Sequence, residues 1–302
     1  MTPAEAQAVR ASRATPHARA WLATTTKAVA LHVFDAAIYA RNQAGDVIAI
    51  TSETIGTGPL SLTVQAPSVP WTRLVAAGAP VETTGATLRI GRLDIDLSAA
   101  EDWDPVPAWT QLVSHPERLA PRQGKLEDFV LRVAPAGSLV SLLHNQMPEG
   151  LPDTALAVHR MARQAVPVLL EGLSRIEKGY VQVEAAAQRL AGLGGGFTPA
   201  GDDFLMGVIY ALWSRLAREP ALAAGRVIAD AAAPRTTTVS AAYLRAAAAG
   251  AAGDGWHDLV DALVGGDDRS IEAAVTQLAR IGHTSGADAL AGYVTGLEAF
   301  RT

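Results

Sequence analysis

The chain has no cysteine and only three lysines among its 302 residues, so almost all of its positive charge is arginine. Without cysteine, a disulfide, a zinc–thiolate site and a thiol nucleophile are excluded. No apolar run approaches the length of a membrane span. The first 26 residues carry Glu5 and several arginines and lack the apolar core of a secretory signal. The sequence therefore predicts a cytoplasmic protein without membrane contact.

The charge balance also limits the partners. The formal net charge is −5 and the isoelectric point is about 5.8, which argues against nucleic acid as the main partner. Hydrophobic residues make up 49% of the chain and charged residues 18%. This is enough apolar material for a substantial core and is unlike a disordered chain.

The hydrophobic pattern changes near the middle of the chain, from short alternating segments to longer helical ones. Alternation predicts strands at 29–39, 47–51, 60–64, 88–90 and 93–97, with a hairpin turn at 42–46. Helical periodicity predicts helices at 154–171, 181–190, 202–218, 220–232, 239–249, 257–264, 270–281 and 287–300. Strands followed by helices are typical of the α+β class. We predict an N-terminal extension at 1–26, a β-rich domain at 27–137 and, packed on it, a mostly α-helical domain at 138–302.

The most informative segment is residues 192–204, GLGGGFTPAGDDF, where five glycines, a Thr-Pro step and two adjacent aspartates occur together. Clustered glycines indicate positive φ angles or a close approach to the main chain. Thr198 and Pro199 predict the N-cap and the first residue of a helix, and residues 205–213 are apolar on every face, as in a buried helix. Asp202 and Asp203 at its start must be met by water, an arginine, a metal ion or a ligand, because an unpaired buried carboxylate is very costly.

Other interpretations of this segment are weaker. No Lys-Ser or Lys-Thr follows the glycines, so it is not a Walker loop. A predicted helix precedes it, where a dinucleotide motif needs a strand. A purely structural alternative is a helix end at Gly192 followed by a newly capped helix. Residues 265–271 also contain Gly-Gly-Asp-Asp before a helix, with no chemistry nearby, so the aspartate pair alone is unspecific.

A second segment, residues 281–297, repeats the pattern of residues 198–212. Each has an aspartate, a small residue four positions later and another small residue after four more. The matching positions are Asp203 and Asp288, Gly207 and Gly292, and Ala211 and Gly296. Small residues four apart share one helix face and let a neighbouring backbone approach. We expect the two helices to pack tightly and to bring their polar N-termini together; chance similarity in an Ala- and Gly-rich chain is the competing explanation.

Further polar candidates lie before other elements. Thr237 and Ser240 belong to a hydroxyl run that precedes a helix, where such residues usually act as caps. The functional alternative is an anion pocket formed by these hydroxyls and Arg235. In the N-terminal half, the backbone amide of Gly58 can line an anion site, although a plain loop entering a strand is the simpler interpretation.

His283 can act as an acid or a base near neutral pH, although a single histidine at a helix end is more often structural. With Asp202, Asp203 and Asp288 it resembles a divalent-metal ligand set in residue type only, because no His-x-x-x-His or Glu-x-x-His spacing supports such a site. We therefore predict no metal and no other cofactor.

Three segments resemble the signature blocks of the uncharacterised-domain family that includes AllH, a subunit of the bacterial oxamate carbamoyltransferase of allantoin degradation. They are residues 194–205, residues 236–240 with 246–250, and residues 281–288. Residues 56–60 resemble the family's N-terminal Gly-Pro element more loosely. The family usually has Leu-Thr-Pro-Ser-Gly-Asp-Asp where this chain has Phe197 and Ala200, so no hydroxyl role is carried over to position 200.

The resemblance implies reversible phosphorolysis of oxalurate to oxamate and carbamoyl phosphate, a step of purine catabolism, together with AllF- and AllG-type protein subunits. The chemistry suits the residues, because carboxylates can accept hydrogen bonds from a carbamoyl NH2 and glycine amides can stabilise a tetrahedral oxyanion. The catalytic candidates are Asp202, Asp203, His283 and Asp288. The candidates for binding a small-molecule substrate are Gly58, Gly194, Gly195, Gly196, Thr198, Thr237, Ser240, Thr284, Ser285 and Gly286.

Two other functions remain open. A metal-dependent hydrolase or lyase of a small carboxylate would use the three aspartates Asp202, Asp203 and Asp288 to bind a divalent ion. A non-catalytic assembly or ligand-sensing subunit is the third hypothesis, and the apolar C-terminal half is weak support for it.

Overall fold

A computed structural model describes residues 6–144, 147–176 and 178–301. The chain forms two compact units, Met1–Pro105 and Val106–Thr302, which we call the N-terminal and the C-terminal unit. Strands are concentrated in the first and helices in the second, so the predicted α+β class is confirmed.

The N-terminal unit is a nine-stranded sheet within the described residues. Its strands are β1 (Gln7–Ala14), β2 (Ala28–Val33), β3 (Ala37–Asn42), β4 (Val47–Ser52), β5 (Ser61–Val64), β6 (Pro80–Thr84), β7 (Thr87–Ile90), β8 (Leu93–Asp96) and β9 (Glu101–Asp102). Their order is β5-β4-β3-β2-β6-β7-β8-β1-β9, and an additional antiparallel pairing of β1 with β5 closes eight of them into a ring. The interior is filled by buried aliphatic side chains and Trp71.

The predicted turn at 42–46 joins β3 and β4, but the single strand predicted at 29–39 is wrong. Residues 34–36 form a bend, and β2 and β3 pair with each other on either side of it. The predicted extension at 1–26 contains β1 and helix α1 (Pro16–Thr24), whose N-cap Thr15 accepts a hydrogen bond from the amide of Ala18. The first five residues of that extension lie outside the described residues.

The described residues of the C-terminal unit form helices joined by loops and contain no strand. Its α-helices are α2 (Trp109–Ser114), α3 (Pro116–Leu119), α4 (Gln123–Val133), α5 (Asp153–Ser174), α6 (Tyr180–Leu190), α7 (Ala200–Arg215), α8 (Arg218–Ala232), α9 (Thr238–Ala248), α10 (Asp254–Gly265), α11 (Asp268–Ala279) and α12 (Ser285–Glu298). Short 3-10 helices occur at Ala120–Arg122, Leu139–His144 and Ala233–Arg235. The eight predicted helices are confirmed as α5 to α12, whereas α2, α3 and α4 were not predicted. The predicted domain boundary at 137/138 stays a prediction.

Helices α7 and α12 form the centre of this unit, and nearly every residue of both is buried. They are packed so closely that a Cβ atom at Gly207 would overlap the carbonyl oxygen of Ala289, and one at Gly292 would overlap that of Phe204. Further along, Gly296 lies against Ala211. The contacts advance in the same direction on both helices, so α7 and α12 are parallel and begin at the same end. The predicted tight packing of these two helices is confirmed.

In the part of the chain that the structure describes, no helix is both long enough and apolar enough to cross a bilayer.

Candidate functional site

The glycine loop, which we define as residues 191–199, connects α6 to α7. Gly192 has a φ of 69°, Gly194 of 112° and Gly196 of 99°, conformations that favour glycine because it has no Cβ atom. Gly192 directly follows the C-cap of α6, so the predicted helix end at this residue is confirmed. The cluster of glycines therefore has a conformational reason at three of its positions.

The helix after the loop begins one residue later than predicted. Pro199 is the N-cap of α7 and Ala200 its first residue, so the prediction of Thr198 as N-cap and Pro199 as first residue is wrong. The Thr198 hydroxyl contacts two other side chains instead. Its Oγ1 lies 3.1 Å from Oδ2 of Asp203 and 3.0 Å from Oγ of Ser285, at the start of α12. This contact joins the beginnings of the two helices, as the sequence repeat predicted.

Asp202 is 2% exposed and has hydrogen-bond donors on both carboxylate oxygens. Its Oδ1 accepts from the amide of Gly192 at 2.9 Å, and its Oδ2 accepts from the hydroxyl of Thr236. Burial raises the pKa of Asp202, and the hydrogen bonds from Thr236 and Gly192 and the nearby hydroxyl of Ser240 oppose the rise. Asp202 thus ties the glycine loop to the segment before α9.

Asp203 is 6% exposed and lies in the first turn of α7. Burial raises the pKa of its carboxyl group well above the usual range, and the negative charges of Asp288 and Asp202 raise it further. The hydroxyls of Ser285 and Thr198 act in the opposite direction. Because burial dominates, Asp203 holds its proton at a pH where an exposed aspartic acid has lost it.

Asp288 is fully buried, with 0% exposure, in the first turn of α12. Its Oδ1 accepts a hydrogen bond from the backbone amide of Leu139 at 2.6 Å, whereas its Oδ2 has no partner among the described residues. Burial raises the pKa of Asp288 to about 7, and the Leu139 amide and the nearby Thr284 hydroxyl limit the rise. The group therefore titrates near neutral pH.

The glycine loop, which lies beside the two helix starts, also supplies backbone donors. The amides of Gly194, Gly195 and Gly196 make no hydrogen bond within the described part of the chain. Gly195 and Gly196 are exposed, and a Cβ atom at either would meet no neighbour within 4 Å. Free amides on a glycine segment, next to two parallel helices whose positive dipole ends coincide, are suited to an anion.

The other candidate residues around the site differ in whether their polar groups already have hydrogen-bond partners. Thr237 is the N-cap of α9 and accepts from the amide of Ser240 at 3.1 Å, so the capping role is confirmed. Ser240 Oγ is buried and makes no hydrogen bond of normal geometry within the described residues. Gly286 is buried and leaves no room for a Cβ atom beside the carbonyl of Leu278.

Thr284 is the N-cap position of α12, and its side chain makes no capping hydrogen bond there. His283 precedes it, is exposed, and makes no hydrogen bond within residues 178–301. The structure therefore places His283 beside the start of α12 but not in the buried acidic cluster.

Gly58 belongs to the N-terminal unit, in the loop between β4 and β5. Its amide donates to Oγ of Ser61 at 2.9 Å. Because this donor is already used, Gly58 offers no free amide, and the interpretation as a loop entering a strand accounts for it.

The described residues contain no group of three or more acidic or histidine side chains arranged to hold a metal ion. The aspartates instead find hydroxyl and amide donors, as described above. Three of these donors were not among the predicted site residues: the amides of Gly192 and Leu139 and the hydroxyl of Thr236. The position of Thr236 in the hydroxyl run was a usable signal, whereas nothing in the sequence marks Leu139.

The fold and the site define an α+β protein in which two parallel, buried helices start at a shared cluster of carboxyl groups and free glycine amides. Over residues 190–297, which include both helix starts, the chain matches the family described as oxamate carbamoyltransferase subunit AllH. The resemblance seen in the sequence is confirmed over this range, and the match does not extend to residues 56–60. No curated protein and no solved structure gives a significant match to the chain.

Proposed function

We propose that this chain is the substrate-binding component of a carbamoyltransferase that interconverts oxalurate and phosphate with oxamate and carbamoyl phosphate. One observation carries the proposal: the AllH match at residues 190–297 coincides with the place where α7 and α12 join their acidic N-termini. A region matched for a carbamoyltransferase subunit thus contains the one cluster of buried carboxyl groups described above.

The chemistry of the site suits the two ends of such a substrate. Oxalurate carries a terminal NH2 group and a terminal carboxylate, and its co-substrate phosphate is an anion. The carboxyl group of Asp203 would accept a hydrogen bond from the NH2 group. The free amides of Gly194, Gly195 and Gly196 would bind the anionic group or the oxyanion that forms at the carbamoyl carbon.

The reaction itself is a displacement at the carbamoyl carbon. A phosphate oxygen attacks that carbon, a tetrahedral oxyanion forms, and the bond to the oxamate nitrogen breaks. The developing negative charge on oxygen needs donors that are already in place, and each such donor contributes roughly 10²–10³-fold to the rate. In our proposal the glycine loop supplies these donors, and AllF- and AllG-type subunits complete the assembly.

Reconstitution is the test. The purified chain, alone and with AllF- and AllG-type subunits, is incubated with oxalurate and phosphate, and oxamate and carbamoyl phosphate are measured. We expect turnover in the complex and a loss of about 100-fold or more for Asp203→Asn. His283→Ala tests the predicted proton-transfer role of this exposed residue. Asp268→Asn is the matched control, because Asp268 also follows glycines at a helix start but forms an exposed ion pair with Lys125.

Three results would count against the proposal. The complex could fail to turn over oxalurate, the Asp203→Asn variant could be as active as the control, or phosphate could fail to bind. A stoichiometric divalent ion in the purified protein would favour the metal-dependent hydrolase or lyase instead. Binding of oxalurate without any turnover by the complex would favour a ligand-sensing subunit.

A further inference from the structure

The site is built from two copies of one helix–loop–helix arrangement. Repeat A consists of α6, the glycine loop and α7; repeat B consists of α11, residues 280–284 and α12. In each repeat a leucine in the last turn of the first helix lies against a glycine in the first turn of the second: Leu190 against Gly201, and Leu278 against Gly286. The backbone connections also correspond, since Gly201 donates to the carbonyl of Leu193 and Gly286 to that of Ile281.

The two repeats face each other through reciprocal contacts. Gly207 of α7 lies against Ala289 of α12, and Gly292, the counterpart of Gly207, lies against Phe204, the counterpart of Ala289. Such exchanged contacts are those of two helices related by a local twofold axis. Asp203 and Asp288 occupy equivalent positions, each one turn before the glycine at the contact. The arrangement therefore places the two acids at the same level of the helix pair, one on each helix.

Equivalent positions do not give the two carboxyl groups equivalent surroundings. Asp203 is 6% exposed and shares its neighbourhood with the hydroxyls of Thr198 and Ser285. Asp288 has no exposure, is held at Oδ1 by the amide of Leu139, and has one oxygen without a donor among the described residues. Of the two acids, only Asp203 keeps any exposed surface.

We propose that Asp203 donates the proton in the reaction and that Asp288, at the equivalent position of the packed helix α12, is a positioning residue that acts electrostatically on Asp203. This inference rests on the proposed function, because it assigns the proton donor within the same site. Asp288 acts through Asp203 and does not touch the substrate.

The proton balance of the reaction closes within the site. As the phosphate oxygen bonds to the carbamoyl carbon and the carbon–nitrogen bond breaks, the electron pair of that bond moves to the oxamate nitrogen. This nitrogen takes the proton of Asp203 and leaves as a neutral amide. The proton of the attacking hydrogen phosphate then restores Asp203. No further acid, oxidant or reductant is required.

The charged groups around the pair are consistent with this assignment. In addition to burial, the negative charges of Asp288 on α12 and of Asp202 on α7 raise the pKa of Asp203. Burial raises the pKa of Tyr210 on α7, and the nearby charge of Asp203 raises it further. Other ionisable side chains lie on the segments that adjoin the two helix starts. Arg189 is in the last turn of α6, Arg235 precedes Thr236, Arg280 and His283 precede α12, and His144 ends the 3-10 helix that contains Leu139. None of them is among the causes that shift the pKa of Asp203 or of Asp288.

A titration of the isolated chain tests the inference without relying on turnover. The chain is labelled with 13C at aspartate carboxyl groups, and the Asp203 signal is assigned by its absence in Asp203→Asn. We expect Asp203 to be protonated at pH 7 and to titrate in two coupled steps with Asp288. In Asp288→Asn, which removes the charge but keeps the volume, the Asp203 midpoint is expected to fall by about one pH unit or more. Asp268→Asn is expected to leave the midpoint unchanged.

Turnover of the reconstituted complex provides the second measurement. Asp203→Asn is expected to lose about 100-fold or more of kcat at every pH while KM stays within a few-fold, because the amide keeps the shape but has no acidic proton. For Asp288→Asn, the pH above which kcat declines is expected to move down, so that activity returns as the pH is lowered. A merely structural role would not move the pH profile in this way.

The outcomes separate this inference from the proposed function. An Asp203 carboxyl that is ionised at pH 7 in the unaltered chain would overturn the proton-donor role. An Asp203 midpoint and pH profile unchanged by Asp288→Asn would overturn the positioning role. If that variant does not fold, the two-step titration of the unaltered chain decides, and independent single steps would overturn the coupling. A complex inactive towards oxalurate would reject the proposed function while leaving the titration result intact.

Discussion

Repeats A and B are built on the same scaffold, and they differ most at the loops. Repeat A has three more residues than repeat B between its backbone anchors, at 194–200 compared with 282–285. It also has Asp202, which ties Gly192 to Thr236, where repeat B has the buried alanine Ala287. Repeat B instead has its acid fixed by a backbone amide from outside the repeat. A symmetric scaffold thus carries an asymmetric site.

Features that both repeats share belong to the scaffold, and features found in one repeat belong to the chemistry of the site. The parallel helices, the glycine contacts and the two acids are common to both repeats. Among the described residues, the run of three free glycine amides and the clamp formed by Asp202 occur only in repeat A. If the site binds an anion next to the acids, the structure of repeat A is the part that determines where that anion lies. The following predictions make one repeat more like the other or remove what they share.

Disruption of the glycine contact between α7 and α12, which both repeats share, is expected to have the largest effect on stability. Gly207→Ala and Gly292→Ala each place a methyl group onto a backbone carbonyl of the facing helix, so each is expected to cost about 4 kcal/mol or more of unfolding free energy. Similar costs for the two are expected because the contacts are reciprocal. Denaturant unfolding measures them. Gly124→Ala is the control, since Gly124 is helical and has open space around it; a control as damaging as Gly207→Ala would contradict the argument.

Shortening the loop of repeat A to the length of that of repeat B is expected to affect activity more than folding. Deleting residues 195–197 removes two of the three free amides but keeps the anchor contacts of Leu190 and Gly201. We expect a folded chain whose turnover in the complex falls by about 10²–10³-fold, the usual effect of losing an oxyanion donor. Circular dichroism reports the folding of the variant, and its phosphate binding is measured on the same sample. A folded deletion variant that keeps full activity would show that the glycine amides take no part in the site.

The buried acid of repeat B is expected to make stability depend on pH. The folded-state pKa of Asp288 is about 7, above the unfolded value, so the folded chain binds the extra proton between about pH 4 and pH 7 and stability falls as pH rises through this window. Asp288→Asn is expected to flatten this part of the profile and to raise the unfolding free energy at pH 8 by on the order of 3 kcal/mol. An unchanged slope would show that Asp288 ionises at an ordinary pH.

Removal of the clamp that Asp202 forms in repeat A is expected to have the smallest effect. Asp202→Ala reproduces Ala287 of repeat B and leaves the amide of Gly192 without its acceptor. A loss of about 2 kcal/mol is expected, together with faster proteolysis near the exposed Gly195 and Gly196. Thr236→Val, which removes only one of the two donors, should cost about 1 kcal/mol. Proteolysis of the loop at the rate seen in the unaltered chain would show that Asp202 does not anchor it.

Much of the helical region could be predicted because local signals agree with the tertiary structure. The periodicity of α5 to α12, the buried character of α7 and the small residues of α12 all follow from the letters of the sequence. The spacing of Asp203 from Gly207 and of Asp288 from Gly292 was sufficient to predict that the helices pack together. Small residues at four-residue spacing have one common use, a close helix contact, and here they have it.

What could not be predicted depends on long-range placement. Strand β1 is paired in the sheet with partners far along the chain, and its composition does not mark it as a strand. Leu139 donates a backbone amide to Asp288 across about 150 residues, and every residue except proline has such an amide. The N-cap at Pro199 instead of Thr198 is a difference of one residue, within the usual variation of helix boundaries.

The glycine contacts between α7 and α12 have one more consequence. Because main-chain atoms of one helix lie directly against the other, the separation of the two acids is fixed by backbone geometry and is insensitive to which aliphatic side chains fill the surrounding core. Redesign of that core could therefore alter heat resistance while leaving the reactive groups at their present spacing.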